Sequence, residues 1–292
     1  MITLQDLAYV RIGTRDLDTQ LEFAQEIVGL ELVERRADTA FLRSDDRHHS
    51  LQFVSGEPRH MSSGFVLTDR RAVEDAARQL EEKGIDVHRG SPEECAERKV
   101  GAMISFRDTG KNTVELVCDQ VNLTSRPVRF SRPAGITEFG HLGLEVPDVA
   151  AAQEFWCSNF SFQVSDWIGD SACLMRFNPV HHTLAVFKDS TGLGHVNFQV
   201  ATIDDIMRSH NFLRHHGIEI VMGPGRHPQS TAVFLYFKGP EDVTWEYSHG
   251  VRLIPDDGTW VPRHFDVAQP DFIDMWRGSL AQAGTPWSER HA

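Results

Sequence analysis

A chain of 292 residues with 40% hydrophobic content is long enough to bury a substantial core and to divide into two domains. Its formal net charge of −13 works against nonspecific attraction to nucleic acid or anionic lipid, which leaves a small-molecule partner as the expectation. No apolar stretch is long enough to span a membrane, the start "MITLQDLAYV" lacks the basic-then-apolar pattern of a secretory signal, and Cys95, Cys118, Cys157 and Cys173 show no paired spacing and read as reduced thiols. A cytoplasmic protein is expected.

Taken in chain order, a strand at "AYVRIGT" leads into an amphipathic helix from Leu17 to Val28 and then into the strands "LELVER", "AFLRS" and "HSLQFV". A second helix, Arg71 to Lys83, is stopped by Gly84 and followed by the strands "GIDVHRG" and "AMISF". The stretch "QVNLTSRPVRFSRPAGI", with Pro127 and Pro133 and no periodicity, reads as a linker. The pattern then returns, with a strand at "HLGLEV", a helix from Val149 to Asn159, further strands, "HVNFQV", and a helix from Asp204 to His216 stopped by Gly217. Beyond Gly250 there are several prolines and one short candidate helix, Asp271 to Leu280, able to pack over a domain.

The two halves match each other. "AYVRIGTRDL" parallels "GHLGLEVPDV" at an offset of 132, "RHHSLQF" parallels "VHHTLAV" at 133, "EEKGIDV" parallels "RHHGIEI" at 133, and "FRDTGKNTVEL" parallels "FKGPEDVTWEY" at 131. Four agreeing offsets point to a repeat, and the strand, helix and further short strands within each half read as four βαβββ-like modules, an α+β architecture. The expected divisions are residues 1–120, a linker at 121–136, residues 137–250, and a tail at 251–292.

The chemistry concentrates in the second half. Successive strand residues face opposite sides of a sheet, so His141 faces away from Leu142, Leu144 and Val146, and His195 shares a face with Asn197 and Gln199 opposite Val196, Phe198 and Val200. Glu246, between Trp245 and Tyr247, repeats the pattern, and an enclosed carboxylate there needs a cation. Each residue alone is an ordinary polar group; three agreeing positions predict a metal site. Two histidines and one carboxylate leave several coordination positions open, the ligand set of non-haem Fe(II) centres that activate oxygen. The first half has Tyr9 and Ser62 where the second has His141 and His195, and keeps only Glu115 opposite Glu246, so one metal site is expected.

The stretch "GRHPQSTAVFLYFKGPEDVTWEY" resembles the signature of the type I extradiol ring-cleaving dioxygenases of the vicinal oxygen chelate superfamily, with His227, Leu235, Tyr236, Pro240 and Glu246 in the matching places. Gly239 stands where an acidic or small polar residue is common and Asp242 where glycine is common, which bears on the turn and not on any ligand. The resemblance extends to about Gly250 and implies two vicinal-oxygen-chelate domains, each an incompletely closed β-barrel, the first without metal. It implies His141, His195 and Glu246 as ligands of Fe(II), with Mn(II) as the alternative. It further implies a catechol-type substrate cleaved with O2 to a muconic semialdehyde-type product, and homo-oligomerisation. From "HHTLAV" it implies an acid–base histidine; alternation lets only one of His181 and His182 enter the site, and analogy assigns His182. Tyr236, facing away from Leu235 and Phe237, and His227 are implied in binding the substrate or each other. Phe177, Trp167 and Tyr247 are candidate aromatic walls, with Phe177 assigned to substrate binding. His210, His215 and His216 fall on or near one helix, and the last two, near its C-terminus, suit the helix dipole.

Two other readings fit the same fold: a glyoxalase-like metal-dependent lyase or isomerase, and a binding protein without chemistry.

Overall fold

The computed structural model describes residues 1–255 and 258–276. The first half forms an eight-stranded sheet from β1 (Asp6–Thr14), β2 (Glu31–Arg35), β3 (Thr39–Arg43), β4 (Leu51–Ser55), β5 (Arg59–Val66), β6 (His88–Arg89), β7 (Ala102–Arg107) and β8 (Thr113–Cys118). The second half forms a nine-stranded sheet from β9 (Ile136–Val146), β10 (Gln163–Ile168), β11 (Ala172–Arg176), β12 (Leu184–Lys188), β13 (Gly192–Val200), β14 (Ile220–Arg226), β15 (Val233–Lys238), β16 (Thr244–His249) and β17 (Arg263–Phe265). The helices are α1 (Leu17–Glu22), α2 (Arg70–Glu81), α3 (Pro92–Arg98), α4 (Val149–Asn159) and α5 (Ile203–His215).

The strand orders are β2-β3-β4-β1-β5-β8-β7-β6 and β14-β15-β16-β13-β9-β12-β11-β10-β17. In neither sheet do the end strands pair, so each is incompletely closed, as anticipated. At the centre of each sheet β1 runs parallel to β4 and antiparallel to β5, just as β9 runs parallel to β12 and antiparallel to β13. Three modules have the anticipated βαβββ order. In the other, "GIDVHRG" yields only the two residues of β6, and an unanticipated helix, α3, follows it. The signal for α3 was present: Ser91 caps the helix, Pro92 opens it and Glu94 closes a reciprocal capping box.

The first helical run does extend from Leu17 to Val28, but its second half widens to π geometry. Gly84 and Gly217 take left-handed φ values of 77° and 67° after their helices, where a Cβ would be strained. A continuous apolar core crosses both halves. Phe106 stacks on Phe160 at 5.8 Å, and Phe65 packs on Trp156 at 5.5 Å.

The tail departs from expectation. Residues 271–276 run as turns and bends, not helix, and the remainder of the anticipated Asp271 to Leu280 helix lies outside the described residues. Instead β17 adds to the sheet edge, parallel to β10. No helix among the described residues is long and apolar enough to cross a membrane.

Candidate metal centre

His141 on β9 and His195 on β13 belong to the two strands at the middle of the second sheet, and Glu246 lies on β16, which pairs with β13. The apolar partners of each alternation, Leu142, Leu144, Val196, Phe198, Trp245 and Tyr247, are buried in the core, which turns the three polar side chains to the other face. His141 Nε2 lies 3.0 Å from His195 Nε2 and 3.0 Å from Glu246 Oε2, and His195 Nε2 lies 3.4 Å from the same oxygen. Among the described residues this is the one cluster of three or more such side chains placed to hold a metal.

Donors about 2.1 Å from one cation and at right angles to one another stand roughly 3.0 Å apart, which matches these separations. All three residues are buried, and among the described residues Glu246 Oε2 faces only the two imidazole nitrogens, without a well-aligned donor. An anionic oxygen enclosed without a donor is costly unless a cation neutralises it. Burial pushes the Glu246 carboxyl upward, but the imidazoles of His141, His195 and His227 outweigh it and hold the group at about 2. Burial pushes His195 down to about 3, so its ring is neutral with a lone pair free. An ionised carboxylate and a neutral imidazole are the forms that bind metal. The donor set fits a divalent cation.

Three further polar groups surround the cluster. The His182 ring lies 4.3 Å from that of His141 and lines the cavity beside it, whereas His181 turns away to Asp166 at 2.8 Å. Tyr236 sits directly opposite Glu246 in the β15–β16 ladder, and its hydroxyl is 3.2 Å from His227 Nε2. His227 Nδ1 donates to the carbonyl of Ile273 at 2.7 Å, leaving Nε2 as an acceptor for the Tyr236 hydroxyl. The turn between β15 and β16 accounts for both departures from the signature. A Cβ at Gly239 would meet Trp245 Nε1 at 2.4 Å, so only glycine fits, and Asp242 takes a left-handed φ of 63° where glycine is easier.

The cavity measures about 220 Å³, and Ile168, Leu174, Phe187, Met222 and Ile273 make its apolar walls. The three aromatic wall candidates lie elsewhere. Phe177 packs on Phe162 and Phe65, Trp167 stacks on His264 at 4.1 Å, and Tyr247 is a core residue whose hydroxyl donates to Val28 O. Phe177 is therefore corrected from a cavity residue to part of the aromatic core, because its ring, just after β11, packs on Phe65 of the first half and on Phe162. The walls missed from sequence are residues whose apolarity looks the same whether they face core or cavity. Glu145, on the same face of β9 as His141, stands at the rim and is half-buried. His215 bonds Asn211 O and His216 bonds Phe212 O within the α5 terminus.

In the first half the equivalent place is filled by cationic side chains. Glu115 receives the Tyr9 hydroxyl at 2.6 Å, Arg98 Nη2 at 3.2 Å and Arg11 Nη1 at 3.4 Å. Guanidinium groups neutralise the retained carboxylate there.

The chain matches the "Glyoxalase/Bleomycin resistance protein/Dioxygenase superfamily" over residues 6–116 and 138–247. It is 26% identical to a 1,2-dihydroxynaphthalene dioxygenase of Sphingobium xenophagum, covering 87% of this chain and 91% of that protein. It is 29% identical to a manganese-dependent 2,3-dihydroxybiphenyl 1,2-dioxygenase of Geobacillus genomosp. 3, covering 96% of each. Among solved structures, a Mn(II)-bound glyoxalase from Novosphingobium aromaticivorans superposes with a TM-score of 0.85 at 26% identity, covering 94% of this chain and 90% of that one.

Proposed function

The chain belongs to the glyoxalase/bleomycin resistance protein/dioxygenase superfamily, and from that premise we propose that it is an extradiol dioxygenase that opens the ring of a catechol-type diol with O2. The observation that carries this reading is the meeting of His141, His195 and Glu246 at 3.0–3.4 Å, with His195 opening on an apolar cavity that His182, His227 and Tyr236 also line. The relatives named as dioxygenases of dihydroxynaphthalene and dihydroxybiphenyl, matched over nearly their whole length, support it. The reaction breaks the carbon–carbon bond beside the diol, places both atoms of O2 in the product and yields an acid bearing an aldehyde or ketone.

His141, His195 and Glu246 would hold Fe(II), or Mn(II) in its place. Bound there, the cation supplies Lewis acidity that favours loss of a diol proton, and a redox-active centre that lets the ring react with O2. The protein does the rest. His182 is positioned to take a proton from a diol hydroxyl and return it as the oxygen–oxygen bond breaks. Tyr236 and His227 hold a diol oxygen, the tyrosine kept as a phenol because burial and the neighbouring Glu246 push its pKa well up. The apolar walls exclude water from the reacting ring. Among the described residues the lining contains no lysine or arginine, so the reading extends to a compact diol with an uncharged substituent.

The division into residues 1–120 and 137–250 flanking a linker, a cytoplasmic setting and a homo-oligomeric state belong to the same proposal. The irregular course of residues 121–135 supports the linker.

The likeness to the Mn(II)-bound glyoxalase favours a second reading, a metal-dependent lyase or isomerase. One experiment separates them. Protein purified without oxygen and supplied with Fe(II) or Mn(II) is given a panel of mono- and bicyclic catechols, and oxygen uptake and the visible spectrum are followed. Stoichiometric uptake with a new yellow product is expected. Metal-dependent turnover of thiol–aldehyde adducts without oxygen uptake would establish the lyase or isomerase, and tight diol binding without turnover a binding protein.

A further inference from the structure

Behind His182 runs a buried chain of hydrogen bonds that ends in the tail. His182 Nδ1 lies 3.1 Å from His181 Nδ1, and His181 Nε2 lies 2.8 Å from Asp166 Oδ2. His181 and Asp166 are fully buried. Arg263 of β17 closes the chain, with its backbone N–H donating to Asp166 Oδ1 at 2.8 Å, Nε to the same oxygen at 3.1 Å and Nη2 to Oδ2 at 2.6 Å. A carboxylate so served is ionised and can only accept.

The direction of every bond then follows. His181 Nε2 must carry the proton it gives to Asp166. Arg263 already matches the Asp166 charge, and burial lowers the His181 pKa, so the ring sits there in its neutral form with Nδ1 as the lone pair. His182 Nδ1 must therefore be the donor, and its Nε2, which has no hydrogen-bond partner among the described residues and belongs to a cavity-lining ring, is left unprotonated. We propose that Asp166 and His181, clamped by Arg263 from the C-terminal tail, are positioning residues that set the tautomer of His182 so that it meets the diol as a base. This rests on the reading of His182 as the acid–base group.

The first half provides an internal comparison. Glu34 follows a bulge in β2 at the register position that Asp166 holds after the same bulge in β10. Its Oε2 stands 3.7 Å from His48 Nε2, and His48 Nδ1 lies 3.3 Å from His49 Nδ1. Lys99 stands in for Arg263, 2.8 Å from Glu34. There the chain is looser and leads nowhere: His49 Nε2 is buried without a partner and the ring stacks on Tyr9 at 5.0 Å. The repeat carried the acid–histidine–histidine frame into both halves, and only in the second does it shorten and open on a cavity.

Asp166→Asn tests the direction of the chain while keeping its shape. The Asn oxygen stays where two Arg263 donors converge, which turns its amide N–H toward His181 Nε2 and gives up the bond from Arg263 Nη2 at that position. His181 then becomes protonated at Nδ1 and donates to His182, forcing the proton of His182 onto Nε2. Long-range proton–nitrogen NMR of 15N-histidine-labelled, Zn(II)-loaded protein reads the tautomer directly and needs no turnover. Expected are a His182 Nδ1–H in the wild type, an Nε2–H in Asp166→Asn, and a kcat per bound iron lower by roughly 10²- to 10⁴-fold with KM for the diol little changed. His181→Phe, which removes the acceptor, should also release the Nδ1–H preference, and Glu34→Gln should leave both the tautomer and kcat unchanged. A wild-type Nε2–H, or an unchanged tautomer and kcat per iron in a folded Asp166→Asn, overturns the proposal. A tautomer that switches in a protein that cleaves no diol supports the positioning chain and sinks the dioxygenase reading instead.

Discussion

Gly143 approaches His195 so closely that a Cβ added to it would sit 2.4 Å from the imidazole ring. The first-half counterpart of Gly143 is Arg11, whose guanidinium reaches both Ser62, the counterpart of His195, and the retained Glu115. A glycine and a histidine on adjacent strands make room for an imidazole beside His141 and Glu246. An arginine and a serine in the same places fill that room with a fixed positive charge.

Gly143→Ala should therefore weaken metal binding with little effect on folding. The His195 ring must move by more than its neighbours allow, and a displaced ligand costs roughly 10- to 100-fold in metal affinity. Iron content after dialysis, measured beside an unchanged far-ultraviolet circular dichroism spectrum, checks this. Full iron retention would show that the ring relaxes freely.

Metal removal should lower stability, because Glu246 is left buried with an oxygen lacking a donor. At a metal concentration 100 times the Kd, binding stabilises the folded state by about 2.7 kcal/mol, and for a chain of this size that is on the order of 5 °C in Tm. Thermal melts of the chelated protein with and without added Fe(II) or Zn(II) measure it. In Glu246→Gln the rise should vanish.

Glu145 should discriminate among diols by charge. It is the carboxylate at the rim of a cavity whose walls, among the described residues, carry no lysine or arginine, and burial followed by the nearby Asp189 pushes its pKa up. A diol bearing a carboxylate substituent should be a poorer substrate than its methyl ester. Glu145→Gln should narrow that gap in kcat/KM by about 10-fold, the equivalent of about 1.4 kcal/mol. An unchanged ratio would mean that substituents point elsewhere.

His48 should make the fold acid-sensitive. Burial first, and then the Lys99 charge, lower its pKa to about 4 from an ordinary 6.5. Between these values the unfolded chain binds a proton that the folded chain does not, so stability is full above about pH 6.5 and falls as the pH drops through 4, by up to about 3 kcal/mol. Urea titrations of the wild type and His48→Gln at pH 7 and pH 5 should show a smaller loss in the variant. Equal losses would assign the acid sensitivity to other groups.

Much of the site was legible before folding because a strand has a period of two. His141, His195, Tyr236 and Glu246 could each be given a face by counting from buried neighbours, and the 131–133 residue offsets showed that the first half has Tyr9 and Ser62 in place of the two histidines. The same counting chose between neither His181 nor His182. That distinction came from the cross-strand position of Asp166, which draws His181 away from the cavity.

Sequence alone determined the strand faces, the repeat and the chemistry of the donor set, all of which depend on residues near one another along the chain. The tertiary structure decided what stands behind and around that set. It brought Arg263 to Asp166 and Ile273 to His227 from a tail that shares no pattern with the repeat, and it sent Phe177, Trp167 and Tyr247 away from the cavity. The physical reason is that burial of an apolar side chain is nondirectional: the same alternation serves a residue packed between halves and one lining a pocket, and only strand order and register separate the two.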